Sequence, residues 1–355
     1  MAFRFRVRSA LSLVAAAAAA VVAGCAEPPP PEAPKVPASL NVSQRLIDMA
    51  SAYRAYVTRT RNMSPAFVDG TAVAASLSAG AAYDPQQFIR GAIAYGAVVA
   101  LQDRTFTAGV RAQATTPTQR QELAYAILRD PYTVTSFPGA AAAASAVSAA
   151  LTADGQAIYD QGGRIKQAAY DTQAQAWSNA EVLDRPNRLQ RVKTPPPMAG
   201  DFAEGERLRT AISSAATPVA SVTVPPLTTY PSIAVRALGV AAIAALGYSG
   251  DAQPDLMTPL MVDAIGGNCL NLAKLDLYQC LSVSKPNYED IFCLGRHAMM
   301  DTGLCLMKST GAPLPAIEIK QIATGLSPTA QAYQAAPKPK AKPKPKAKPK
   351  AKPKS

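Results

Sequence analysis

Cys269-Leu-Asn-Leu-Ala-Lys-Leu-Asp-Leu-Tyr-Gln-Cys280 is followed by Leu-Ser-Val-Ser-Lys-Pro-Asn-Tyr-Glu-Asp-Ile-Phe-Cys293, and then by Leu-Gly-Arg-His-Ala-Met-Met-Asp-Thr-Gly-Leu-Cys305. Cys269 and Cys280 are 11 positions apart, and Cys293 and Cys305 are 12 apart. Both intervals are close to three turns at about 3.6 residues per turn, so each pair lies along one face of a helix. Pro286 disfavours helix at Lys285, and Asn287 can cap a second helix. The arrangement predicts an antiparallel helical hairpin. Sulfurs three turns apart on one helix are about 16 Å apart, too far to bond. A crossed pairing demands a strong register shift. The expected bridges are therefore nested, Cys280–Cys293 near the turn and Cys269–Cys305 at the open end.

The inner bridge closes a short loop, a contribution of about 3 kcal/mol. In outline the pattern is similar to the twin-cysteine hairpins of mitochondrial intermembrane-space proteins, with different spacings, and nothing functional is carried over. Zinc-binding thiolates favour intervals of two to four residues, so no metal site is expected from these cysteines.

Outward from the hairpin, the composition is helical. Ala, Gln, Leu and Arg dominate the body from about residue 39, with few alternating β-branched runs. Ser39 or Asn41 is a candidate cap for a helix through Leu46, Ile47, Tyr53 and Val57. Asp84-Pro85 starts another carrying Phe88, Ile89, Ile93 and Val99, and Thr116-Pro117 repeats the device before Leu123 and Ile127. Asp130-Pro131 and Phe137-Pro138-Gly139 punctuate the next stretch. Within 140–184, Leu151, Ile158, Ile165, Ala169, Thr172, Ala176 and Leu183 share a face, with Gly155 and Gly162 on or near it. Small residues there allow close packing against a neighbouring helix. After a break near 185–198 and a helix near 200–216, Thr217 to Pro231 holds four prolines and is the best candidate for a sub-domain boundary. Residues 232–248 are apolar but too short to span a membrane, and read as a buried helix. The expected fold class is all-α, a helical bundle or array with a stapled C-terminal hairpin and disordered termini. The corresponding divisions are 1–24, 25–38, 39–216, 217–231, 232–330 and 331–355.

The chain of 355 residues has a net charge of +12, which suggests a polyanion partner. The excess is all terminal. Three positive charges lie at Arg4, Arg6 and Arg8, and nine at Lys338, Lys340, Lys342, Lys344, Lys346, Lys348, Lys350, Lys352 and Lys354. Residues 25–337 are balanced, so a basic nucleic-acid face is not indicated. Alternating with Pro and Ala, the terminal lysines repel one another and stay extended. Such a tail suits cell-wall or lipid polyanions: peptidoglycan carboxylates, lipopolysaccharide phosphates or anionic lipid headgroups.

The amino-terminal end has three parts. Arg4, Arg6 and Arg8 precede an apolar run over 10–23, which closes in Val22-Ala-Gly-Cys25. At 14 residues the run is shorter than a spanning helix of about 20. These residues resemble the signal and lipobox of a bacterial lipoprotein precursor. That resemblance covers residues 1–25 only. It implies a diacylglyceryl group on the Cys25 thiol, cleavage before Cys25 and acylation (palmitate class) of the new amine. Such a chain is anchored in the cell envelope. Ala26 rather than Asp at the next position favours an outer membrane address facing the periplasm. Residues 26–38 form a proline-rich tether. With Cys25 set aside, an even set of four cysteines remains, which fits disulfides in an exported protein.

Catalytic signatures are missing. There is no HExxH, GxSxG, phosphate-binding Gly-rich loop or EF-hand loop. Ser282-Val-Ser-Lys285 matches an SxxK pattern, but without its SDN and KTG companions it is a chance occurrence. His297 is the chain's one histidine and reads as a structural or surface residue. Asp154, Asp160, Asp171, Glu181 and Asp184 read as solvated helix acids, and no cofactor or metal site is legible. The expected role is structural or interaction-based, with a membrane at one end and a wall or protein partner at the other. The alternatives are a cell-wall-acting enzyme with a spatially assembled acid pair, and an accessory subunit of an envelope assembly or secretion machine.

Overall fold

In the computed structural model, the described residues are 42–214, 229–248 and 256–315. The signal, Cys25, the tether, most of the 217–231 break and the lysine tail lie outside them. The described residues are all-α, with one isolated bridge between Glu181 and Pro286.

Local chemistry sets the helix starts. Helix α1 (Gln44–Arg61) is capped by the Ser43 side chain, which accepts from the Leu46 N–H. Helix α2 (Gly70–Gly80) comes next. Asp84 caps α3 (Pro85–Leu101) with Pro85 in the first turn, as the sequence predicts. Beyond α4 (Arg104–Ala112), α5 (Pro117–Arg129) opens with a full capping box between Thr116 and Gln119. Gly139, at φ 83°, turns the chain into α6 (Ala140–Asp171).

Helix α6 has 32 residues, about 48 Å of rise. It ends at Asp171, short of the stripe expected to run to Leu183. Leu151, Ile158, Ile165, Ala169 and Thr172 are buried, but Ala176 is exposed and Leu183 is 88% exposed. The Thr172 hydroxyl donates back to the Ala168 carbonyl (2.8 Å). The chain then leaves the helix axis for a short turn, α7 (Ala176–Asn179), and for α8 (Arg185–Lys193). Asp154 also departs from expectation. It is buried, because Arg54 and Tyr53 of α1 meet it there.

Helices α9 (Phe202–Ser214) and α10 (Ser232–Ala245) flank the proline-rich break. Helix α10 is buried around nearly its whole circumference, and it packs on α3 and α6. Helices on both sides of the break thus share one core, within one compact unit that extends to Leu314. Its centre is an aromatic group of Tyr53, Tyr56, Tyr83 and Phe88, with edge-on centroids 5.3–5.5 Å apart. No described helix is long and apolar enough to cross a membrane.

The carboxy-terminal hairpin consists of α11 (Ala264–Val283) and a return leg. That leg is α12 (Asn287–Cys293), a π-helical stretch over Leu294–Met300, and α13 (Asp301–Ser309). It lies against α6 at backbone distance. A Cβ on Gly303 would stand 2.5 Å from the Gly155 carbonyl oxygen, and one on Gly162 would stand 2.8 Å from that of Gly295. The close neighbour anticipated for Gly155 and Gly162 is therefore the cysteine hairpin itself.

Candidate functional site at the disulfide hairpin

Both expected bridges are present. Cys269–Cys305 joins Cα atoms 5.4 Å apart, and Cys280–Cys293 joins Cα atoms 5.8 Å apart. The nested pairing holds the legs in one antiparallel register along the hairpin.

The turn between the legs is clasped by residues 172–193. The Val182 N–H donates to the Lys285 carbonyl (2.7 Å), and the Asn287 N–H donates to that of Ala180 (3.1 Å). Asn287 Nδ2 adds bonds to the carbonyls of Trp177 (2.9 Å) and Ala180 (3.1 Å). Beneath them Arg188, 3% exposed, pairs with Asp290, 1% exposed. Its two terminal nitrogens also reach the Ser284 hydroxyl (3.2 Å) and the Leu281 carbonyl. Ser284 in turn donates to Asp290 (2.7 Å). Burial raises the Asp290 carboxyl above its usual range, and Arg188 and the Ser284 hydroxyl oppose that shift. The SxxK match falls on this clasp. Ser282 is exposed and donates to the Gln279 carbonyl, while Ser284 serves the buried ion pair.

Two surface depressions flank the clasp. One, of about 390 Å³, has the Cys280–Cys293 bridge in its wall together with Tyr170, Val283, Tyr288 and Phe292. It is an apolar groove with aromatic sides, and Val283 and Tyr170 at its rim are exposed. The other, of about 480 Å³, carries both signs of charge, with Arg185 and Arg188 beside Glu181 and Asp184. Asp184, at φ 55°, is the non-glycine residue in left-handed conformation among the described residues. It shapes the start of α8.

Buried charged groups also lie elsewhere in the body, among them Lys274 and Asp154. Lys274 of α11 donates to the Ala81 carbonyl (2.5 Å) and stands 4.0 Å over the Tyr83 ring. Burial lowers its ammonium to about 7, partly opposed by the charge of Asp84. Asp154 of α6 accepts from Arg54 Nη1 (2.5 Å) and from the Tyr53 hydroxyl (3.1 Å), and Glu204 of α9 approaches the same guanidinium at 3.5 Å. Asp154 faces a cation between helices, which is the arrangement of a structural ion network. The other acids named from the sequence, Asp160, Asp171, Glu181 and Asp184, are exposed.

His297 has company that its neighbours in sequence do not advertise. It lies in the π-helical stretch, its Nδ1 2.9 Å from Asp301 Oδ2. Asp276 reaches the pair from α11, and the three groups present donor atoms within 4.8 Å of one another. Arg296 Nη1 donates to the remaining Asp301 oxygen (2.8 Å). An Asp four residues after the lone His was a usable local signal. Asp276 was legible only once the nested bridges placed it opposite His297. Compared with known proteins, the chain matches no family model, no curated protein and no solved structure.

Proposed function

We propose that this chain is a membrane-anchored envelope lipoprotein, acylated at Cys25, whose helical body serves a structural or interaction role. The observation that carries the reading is the pairing of the four cysteines of the body. Disulfides persist in oxidising compartments, so the pairing supports export. It also leaves Cys25, inside its lipobox-like sequence, as the remaining cysteine of five. The apolar groove beside Cys280–Cys293 supports a protein partner in the envelope, in the manner of an accessory subunit. The cationic tail supports a further contact with peptidoglycan or anionic lipid.

The test is fractionation of cells carrying the wild-type chain or Cys25→Ser, with mass spectrometry of the peptide that begins at residue 25. The expected result is acylated wild type in membranes and unprocessed or soluble Cys25→Ser. Wild type recovered with an unmodified Cys25 thiol counts against the proposal.

A further inference from the structure

We propose that Asp276, His297 and Asp301 form a binding site for a zinc-class divalent cation, built across the two legs of the stapled hairpin. Each leg contributes donors: Asp276 from α11, and His297 with Asp301 from the return leg. One imidazole nitrogen and two carboxylate oxygens make a mixed donor set. It matches the three-ligand sites in which Zn²⁺ keeps a fourth position for water or a partner's group.

Three features of the hairpin favour this use. The Cys269–Cys305 and Cys280–Cys293 bridges bracket the cluster and fix the register that sets Asp276 opposite His297. The π-helical stretch over Leu294–Met300 widens the return leg where the histidine sits, and such interruptions of α-helix are frequent at functional sites. The His297–Asp301 contact of 2.9 Å already holds two donors at close to the spacing a bound cation requires. The third donor lies within 4.8 Å and belongs to the exposed Asp276. Donors around tetrahedral Zn²⁺, each about 2.0–2.1 Å from the metal, are about 3.4 Å apart, so Asp276 closes in by a rotamer change while the His297–Asp301 hydrogen bond opens slightly, its shared proton leaving as the cation binds. Arg296 binds the far oxygen of Asp301 (2.8 Å) and thereby orients the near one. Its positive charge moderates the affinity, so the site is expected to be micromolar and exchangeable.

The site stands independently of the lipid anchor. It is tested on the full chain with both bridges intact and with no polyhistidine tag, by calorimetric titration with Zn²⁺, Mg²⁺ and Ca²⁺. The titration is paired with the NMR signals of the imidazole, which are unique because the chain has one histidine. One Zn²⁺ per chain is expected, with displacement of the His297 ring signals and weak or absent response to Mg²⁺ and Ca²⁺. Asp276→Asn, a change on the surface, is expected to weaken Zn²⁺ at least tenfold while leaving the circular dichroism unchanged. His297→Gln is expected to abolish binding. The proposal is overturned if Zn²⁺ leaves the ring signals in place, or if both variants bind as wild type does.

Discussion

At the residue scale, the consequential groups are charges placed where water does not reach. Arg188 and Asp290 are buried together, 102 positions apart in sequence. Breaking such a pair from one side strands the other charge, at a cost of about 3–5 kcal/mol. Arg188→Ala is therefore expected to lower the stability by that order in denaturant unfolding with the disulfides oxidised. Arg188→Met combined with Asp290→Leu should recover much of the loss. Lys274 supplies a pH signature. Its pKa is about 7 in the folded protein and near 10.5 when the chain is unfolded. Between those values the unfolded state holds the extra proton, so stability rises with pH across that window and levels off on either side. Lys274→Met should flatten the rise, as read from unfolding midpoints between pH 7 and pH 10. None of these three residues could be identified from its neighbours. Lys274 sits in an ordinary Leu-Ala-Lys-Leu stretch, and its partner carbonyl at Ala81 is 193 positions away.

At the element scale, the hairpin and α6 behave as one unit because their backbones nearly touch. Gly303→Ala would force its new methyl group into the Gly155 carbonyl. Separating the two helices should destabilise the fold by about 1–3 kcal/mol. Gly163, one residue from the contact, has open space around its Cβ position. Gly163→Ala should be neutral or stabilise by about 0.5–1 kcal/mol. Thermal unfolding of the two variants side by side checks the contrast. The helices, the Asp84 and Thr116 caps and the nested bridges were legible because each depends on near neighbours and a fixed pitch. Asp84-Pro85, Thr116-Pro117 and the two cysteine intervals are signals of that kind. Asn287, by contrast, expected to cap the return leg, spends its side chain on the Trp177 and Ala180 carbonyls instead, and Ser43 rather than Ser39 or Asn41 caps α1. The stripe beyond Asp171 misled because period alone carries no stop signal. Leu183 fits the phase of α6, yet the chain had already turned aside to clasp the hairpin.

At the scale of the whole molecule, a balanced body lies between two ends of distinct chemistry. The lysine-rich tail should act through electrostatics, so deleting residues 337–355 is expected to reduce retention on purified peptidoglycan sacculi at low salt. Raising the salt should erase the difference. Retention that is unchanged at low salt would sink the wall-contact role. The sequence by itself determined what short-range chemistry controls: the all-α class, the helix starts at Asp84-Pro85 and Thr116-Pro117, the pairing of Cys269 with Cys305 and of Cys280 with Cys293, and the location of the excess charge. Only the tertiary structure decided that helices before and after the proline-rich break share a core. It alone placed Asp154 and Asp290 against arginines, and gathered Asp276 to His297 and Asp301. The physical reason is range. Caps, turns and helical pitch are settled within a few residues, whereas a buried charge or a three-donor cluster exists only when distant helices are pressed together.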